Sequence, residues 1–124
     1  MKTKFLVIAG AALMLAIPAL AHHSFAMFDY SKDVTVVGEV KEFQWRNPHM
    51  HILVNVADGS GGIVEWDVEG GTPNNLRRNG WTQDTLKPGD KVSVVIHPLK
   101  NGGKGGNMVR ASRGDGTPIG TTAG

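Results

Sequence analysis

The order of the strand and helix signals constrains the fold of this chain more than any other feature of its sequence. Five segments rich in β-branched and aromatic residues are separated by glycine or proline: residues 34–45, 49–57, 63–69, 91–97 and 107–112. A short helix is predicted after the third segment, with Thr72 as N-cap, Pro73 at the first position and Gly80 beyond the end. Three strands, a helix and two strands is the order of a five-stranded OB-like barrel, whose helix closes one end. The sequence therefore predicts an all-β fold with one short helix, and a small β-sandwich is the alternative.

Alternation along these segments predicts which side chains form the core. Successive side chains of a strand point to opposite faces, so every second apolar residue is expected to point inward. The predicted core comprises Val36, Val40, Ile52, Val54, Val56, Val64, Trp66, Val68, Val92, Val94 and Ile96, with Leu76 from the helix. Met50 lies on the inward face of its strand, and Gly38 indicates a bulge or bend in the long first strand.

The first 21 residues have the three zones of a secretory signal peptide. Residues 1–4 carry two lysines, residues 5–17 form a continuous apolar run, and residues 18–21 end in small side chains. The apolar run is shorter than the roughly 20 residues that span a bilayer. We therefore expect a removable leader, a periplasmic or secreted protein, and no membrane span after cleavage. An uncleaved membrane anchor is the alternative. The predicted boundaries are 1–21 for the signal peptide, 22–33 for an N-terminal docking segment, 34–113 for the barrel and 114–124 for a flexible tail.

Composition excludes several classes of protein. The 124 residues suffice for one domain, and the absence of cysteine rules out disulfides, iron–sulfur clusters, c-type haem attachment and thiolate metal sites. Of the 13 Lys and Arg residues, Lys2 and Lys4 lie in the leader, which leaves 11 basic residues against 11 acidic ones. A nucleic-acid-binding domain is expected to carry a basic excess, so no nucleic-acid partner is predicted.

Histidines mark the candidate functional site. His49 and His51 alternate with apolar residues in the second strand and so share its outward face. In a hairpin with the third strand, the expected register places Asp67 opposite His51 and Glu69 opposite His49, to within a two-residue slip. Imidazoles beside carboxylates suit a metal site, in which the carboxylates either ligate the ion or orient the rings. The alternative is a solvated polar face.

Cleavage after Ala21 would create a second nitrogen-rich feature. The chain would then begin with His22 and His23, so a free α-amino group and two imidazoles would be adjacent. Copper(II) favours tetragonal nitrogen ligands and stands at the top of the divalent affinity order. The predicted metal ligands are therefore His22, His23, His49 and His51, with copper as the first choice and zinc as the second. A frayed terminus that binds nothing is the alternative.

Two further groups are candidates on weaker patterns. His97 lies on the polar face of the fourth strand, and it would join the other histidines if that face lined the same groove. A capped or solvated histidine before a proline is the alternative. Trp45, Arg46 and Asn47 form a candidate face for stacking a sugar or a partner's ring, although packing at the barrel end is the simpler interpretation of Trp45.

Several motifs together resemble those of a known family. They are HHSFAMFD at 22–29, EFQWRNPHMHI at 42–52, GW at 80–81, LKPGD at 86–90 and HPLK at 97–100. On these residues the chain, from residue 22 onwards, resembles a widespread family of small exported bacterial proteins classed only as a domain of unknown function. The resemblance implies an exported single-domain protein, and it implies no activity, substrate or catalytic residue.

The residues themselves predict an exported protein that binds a transition metal and is not an enzyme. No serine stands in an elbow motif, and no paired carboxylates flank an evident cleft. The alternative function is a metal-free periplasmic interaction module or an oligosaccharide-type binder that uses the groove of the barrel. A copper enzyme is the least favoured alternative, because so small a domain leaves little room for a shaped substrate site.

Overall fold

A computed structural model of the protein describes residues 26–121. Its elements are β1 (Val34–Gln44), β2 (His51–Ala57), β3 (Ile63–Glu69), α1 (Pro73–Arg78), β4 (Lys91–Pro98), β5 (Gly105–Arg113) and β6 (Pro118–Ile119). The predicted signal peptide lies outside the described residues. No helix within the described range is long and apolar enough to cross a membrane.

The five long strands close into a barrel. Antiparallel pairs join β3 to β2, β2 to β1, β1 to β4 and β4 to β5, and a parallel pair between β3 and β5 completes the circle. The closing seam is short, since only residues 67–69 pair with residues 105–107. This connectivity, with α1 between the third and fourth strands, confirms the predicted OB-like barrel and excludes the β-sandwich.

The inward faces of the strands form the core as the alternation predicts. Val56, Val64 and Trp66 are partly buried, and the other predicted core residues are buried. Met50 is fully buried and faces inward as expected. The structure adds Ala111 from the last predicted strand, and side chains from outside the predicted strands: Phe28, Trp81, Leu86 and Ile119.

Gly38 has a different role from the one predicted. The irregularity in β1 lies between Val40 and Glu42, so the bulge falls at Lys41 and not at the glycine. At Gly38 a Cβ atom would fall against the carbonyl oxygen of Asn55 in β2. The glycine therefore permits a close approach of two backbones, which no larger residue allows.

The helix begins and ends where its capping residues predict. Thr72 Oγ1 accepts a hydrogen bond of 3.2 Å from the backbone N–H of Asn75, and Pro73 occupies the first turn. Gly80 follows the helix with a φ of 88°, a conformation that favours glycine. Pro73 and Leu76 are the buried residues of the helix, and Leu76 joins the hydrophobic core of the barrel.

Segments at both ends of the described range are attached to the barrel. Phe28 is only 3% exposed and bridges to Leu99 beyond the end of β4. Backbone hydrogen bonds from Asp29 N–H to the Pro98 carbonyl (2.8 Å) and from Lys100 N–H to the Met27 carbonyl (2.9 Å) hold the segment in place. The N-terminal segment thus continues the line of β1 along β4.

A flexible tail is expected over 114–124, of which residues 122–124 lie outside the described range, and residues 114–121 differ from that expectation. Residues 118–119 form β6, which pairs with residues 111–112 of β5, and Ile119 is buried. The backbone N–H of Thr121 donates to the carbonyl of Asn79 after the helix (2.9 Å). Burial of one isoleucine and these hydrogen bonds order a stretch whose glycine and threonine content indicates a loop.

Candidate histidine–carboxylate site

His51 and Asp67 form the shortest contact of the candidate site. His51 Nδ1 donates to Asp67 Oδ1 over 2.7 Å, between the outward faces of β2 and β3. The register of β2 and β3 differs by two residues from the predicted one, which is the slip that the prediction allowed. His51 therefore lies opposite Glu69, and Leu53 lies opposite Asp67. The histidine therefore reaches its carboxylate diagonally, a geometry that long side chains on adjacent strands allow.

His49 lies just before β2 and is held by the turn that follows β3. Its Nδ1 is 3.1 Å from the carbonyl oxygen of Gly70 and 3.8 Å from Glu69 Oε1. The ring is about one third exposed, while the Glu69 side chain is mostly covered. His49 thus lies beside Glu69 and His51 beside Asp67, as the sequence predicts, although neither pair is directly opposite in the strand register.

The hydrogen bonds determine which ring nitrogen carries the proton. A carbonyl or an ionised carboxylate oxygen only accepts, so Nδ1 carries the hydrogen in both His49 and His51. In the neutral imidazole the lone pair is then on Nε2. Metal-binding histidines use this arrangement, in which the second nitrogen is anchored to an oxygen acceptor. Both rings are therefore prepared to offer Nε2 to a ligand.

His97 lies apart from this pair. The register places His97 opposite Asn107, Asn107 beside Glu69, and Glu69 opposite His51, so the two histidines share one row across four strands. Three strand spacings separate them, or about 14 Å along the sheet. His97 therefore does not complete a ligand set with His51.

His97 instead contacts the N-terminal segment. Its Nδ1 donates to the Lys32 carbonyl oxygen at 2.9 Å and is 3.2 Å from Asp33 Oδ1. The ring also packs edge-on against Tyr30, with centroids 5.1 Å apart. Sequence reasoning missed this role, because more than sixty residues separate His97 from its partners and no local pattern links them.

Within residues 26–121 no three histidine or carboxylate groups converge in a geometry that would hold a metal ion. His49 and His51 with their carboxylates are the nitrogen-rich pair that the described part of the chain provides. The predicted ligands His22 and His23 lie outside the described residues.

In the candidate stacking face formed by Trp45, Arg46 and Asn47, the tryptophan ring already packs against other side chains of the protein. The Trp45 ring packs against Phe43, with centroids 5.8 Å apart, and the Arg77 guanidinium lies 5.6 Å from its centre. Trp45 is therefore half-buried at the barrel end, in agreement with its simpler interpretation. Arg46 and Asn47 are exposed, and the peptide bond from Asn47 to Pro48 is cis.

Hydrogen bonds shift the pKa values of Asp29, Lys41 and Asp115 in the described part of the chain. Hydrogen bonds from the Ser31 hydroxyl and backbone N–H hold the pKa of Asp29 below its ordinary value. The hydrogen bond with Glu65 raises the pKa of Lys41. The N–H of Thr117 lowers the pKa of Asp115 in the turn before β6. Lys41 and Asp115 are exposed and Asp29 is half-buried, and the three groups support turns and strand pairing.

Comparisons with other proteins identify the fold and a family. A family model described as a family of unknown function (DUF6152) matches residues 11–108. No curated protein sequence matches the chain significantly. In structure, the chain is similar to a mitochondrial single-stranded DNA-binding protein from S. cerevisiae, with a TM-score of 0.51. The two are 10% identical, over 66% of this chain and 92% of that one. At that identity the similarity shows a shared OB-type fold alone.

Proposed function

Because the chain belongs to the DUF6152 family, which brings no assigned activity, we propose its function from the geometry of the site: the protein binds a transition metal ion, with Nε2 of His49 and His51 among the ligands. The observation that carries the proposal is that Nδ1 of both rings is already bonded to an oxygen acceptor. Copper(II) is the proposed ion and zinc is the second choice, since imidazole suits both and copper binds nitrogen ligands more tightly.

The carboxylates support the proposal through the rings that they orient. Asp67 is bonded to His51, and Glu69 lies within 3.8 Å of His49. An oxygen acceptor at Nδ1 fixes the tautomer and raises the basicity of Nε2. Asp67 and Glu69 are therefore proposed to act on the metal through the histidines.

Two imidazoles alone make a weak site, so we assign the remaining nitrogen ligands to His22 and His23. The chain between Ala26 and His22 can extend by about 13 Å. Three steps between adjacent backbone segments lead from the N-terminal segment through Leu99 and Gly105 to Asp67. At the usual spacing of strands these steps cover about 14 Å along the sheet. With the length of a histidine side chain added, the terminus can reach the histidine pair.

The proposed role is binding and not catalysis, in an exported protein. The hydrogen bonds of the three described histidines go to carbonyl and carboxylate oxygens, not to a hydroxyl that they could activate as a nucleophile. Export follows from the signal-peptide pattern of residues 1–21. A periplasmic or secreted protein of this kind would buffer a metal ion or deliver it to a partner protein.

A competitive Cu²⁺ titration tests the proposal. The protein is exported by a bacterial host, and mass spectrometry confirms that it begins at His22. We expect one tight equivalent, weakened about 100-fold in the His49→Ala/His51→Ala double variant through loss of two ligands. Asn55→Ala, on the same face of β2, is the matched control and should bind as the native protein does.

Two results would contradict the proposal. Tight binding that survives in the double variant would locate the metal at the terminus alone and remove the strand histidines from the site. Binding no tighter than that of a generic peptide would exclude the metal function and leave the metal-free interaction module as the alternative.

A further inference from the structure

A cleft lies along the edge of β5 that does not pair with β4, and its lining contains no residue of the histidine site. It has a volume of about 600 Å³ and lies between α1, β5 and β6. Small-molecule sites in proteins have volumes of roughly 300–1,000 Å³. The cleft therefore has the size of a ligand site.

The short closing seam of the barrel creates this cleft. β5 pairs with β4 along one edge, and its other edge pairs with β3 at residues 105–107 and with β6 at residues 111–112. Between those contacts, residues 108–110 have no strand neighbour on that edge within the described chain. The cleft opens at this uncovered edge, with α1 as its opposite wall.

The walls of the cleft combine an apolar surface with two arginines. Leu76, Trp81, Met108 and Ile119 provide apolar side chains from four separate parts of the chain. Arg78 from α1 and Arg110 from β5 also line the cleft, whereas no aspartate or glutamate does. The lining therefore carries an excess of positive charge beside an apolar wall.

Neither arginine is neutralised within residues 26–121. In that range the carboxylates contact other basic side chains, namely Lys32, Lys41, Lys91 and the three histidines. Arg77 and Arg113, in contrast, donate to Asn74 and to the Thr85 carbonyl. Guanidinium groups bind carboxylates and phosphates through paired hydrogen bonds.

We propose that this cleft binds a small amphiphile, with an apolar chain against Leu76, Met108 and Ile119 and an anionic head group at Arg78 and Arg110. The head group is a carboxylate or a phosphate, since both suit an arginine pair. A neutral molecule of the same shape would use the apolar wall and leave both guanidinium groups without an acceptor.

Calorimetric titration with decanoate, decyl phosphate and decanol, all below micelle formation, tests this inference. We expect both anions to bind at least tenfold more tightly than decanol, because charge-assisted hydrogen bonds are made only by the anions. The stronger anion identifies the natural head group. Two-dimensional NMR should show the largest shifts at the Trp81 indole N–H and at residues 108–110.

Matched variants separate the cleft from general surface charge. Arg78→Gln and Arg110→Gln should each weaken the anions several-fold and leave decanol unchanged, whereas Arg77→Gln, beside Trp45, should have no effect. Val109→Asp should repel the anions from the cleft, and Val37→Asp, on exposed β1 surface, should not.

Three results would overturn the inference: equal binding of decanol, equal loss in Arg77→Gln and Arg78→Gln, or NMR shifts centred elsewhere on the barrel. None of these results bears on copper binding, because the variants of the cleft leave His49 and His51 unchanged.

Discussion

His51 and Asp67 are joined by a 2.7 Å hydrogen bond although neither lies opposite the other in the β2–β3 register. His51 pairs with Glu69, and the imidazole reaches along the strand to the carboxylate two residues earlier. Glu69 is thereby left beside His49, at 3.8 Å. The two-residue stagger gives each imidazole its own carboxylate, and this one-to-one arrangement underlies the proposed metal site.

The Asp67→Asn variant tests whether this carboxylate supports a ligand. Asparagine has the same shape without the charge, so His51 Nε2 loses basicity while the fold is retained. Copper affinity is expected to fall about tenfold in the competitive titration. Glu65→Gln, on the same face of β3 but paired with Lys41, is the control and should change it little. Equal affinity in Asp67→Asn and the native protein would show that the hydrogen bond between Asp67 and His51 is structural only.

The Gly38→Ala variant tests the close approach of β1 and β2. The added Cβ would fall against the Asn55 carbonyl oxygen, so the strands must separate. We expect the free energy of unfolding in urea to fall by about 2–3 kcal/mol. Gly71→Ala is the control, since its Cβ would meet Leu76 at an ordinary 3.8 Å. Similar stabilities for both variants would contradict the proposed steric role of Gly38.

The His97→Ala variant tests what attaches the N-terminal segment to the barrel. The substitution removes the hydrogen bond to the Lys32 carbonyl oxygen and the contact with Tyr30. Amide exchange of Asp29 and Lys100, whose N–H groups join this segment to the end of β4, is expected to accelerate at least tenfold. Core amides such as that of Val94 should exchange as in the native protein. Unchanged protection of Asp29 would show that the contacts of His97 do not hold the segment.

Acid should abolish the stabilisation that Asp29 provides. Hydrogen bonds from Ser31 keep the pKa of Asp29 below its ordinary value of 3.8 in the folded protein. A carboxyl group with a lowered folded pKa stabilises the fold above its unfolded pKa, and this contribution is lost as the pH falls through the folded pKa. Asp29→Ala should therefore be less stable than the native protein at pH 7, and the difference should shrink below pH 3.8.

Urea denaturation at several pH values measures that difference in the free energy of unfolding. Asp29→Asn serves as the control, because it retains an oxygen acceptor for Ser31 and has no charge to lose. A difference between native protein and Asp29→Ala that stays constant from pH 7 to pH 2 would show that ionisation of Asp29 does not contribute.

The strand order and most of the core could be predicted from local patterns. Alternation places Val54 and Val68 inward and His51 outward, because side-chain direction in a strand depends only on position along it. Capping by Thr72 and Pro73 similarly depends on a few adjacent residues. The register that brings the histidines beside the carboxylates could be predicted only to within two residues. A shift of two residues leaves every side chain on the same face of the strand, so alternation does not distinguish the two registers.

Contacts between distant segments could not be predicted in this way. Asp33 and Tyr30 meet His97 because the pairing of β1 with β4 brings together segments more than sixty residues apart in the chain. Such contacts depend on the free energy of the whole packed structure and not on any local preference.

By itself the sequence of this protein determined the order of its elements, their buried faces and the outward position of His49 and His51. Only the tertiary structure decided that β3 meets β5 along three residues, that His97 belongs to the N-terminal segment, and that a cleft with two arginines opens beside the seam. The reason is physical: the direction of side chains follows from backbone geometry residue by residue, whereas a seam and a cleft arise where segments far apart in the chain pack or fail to pack.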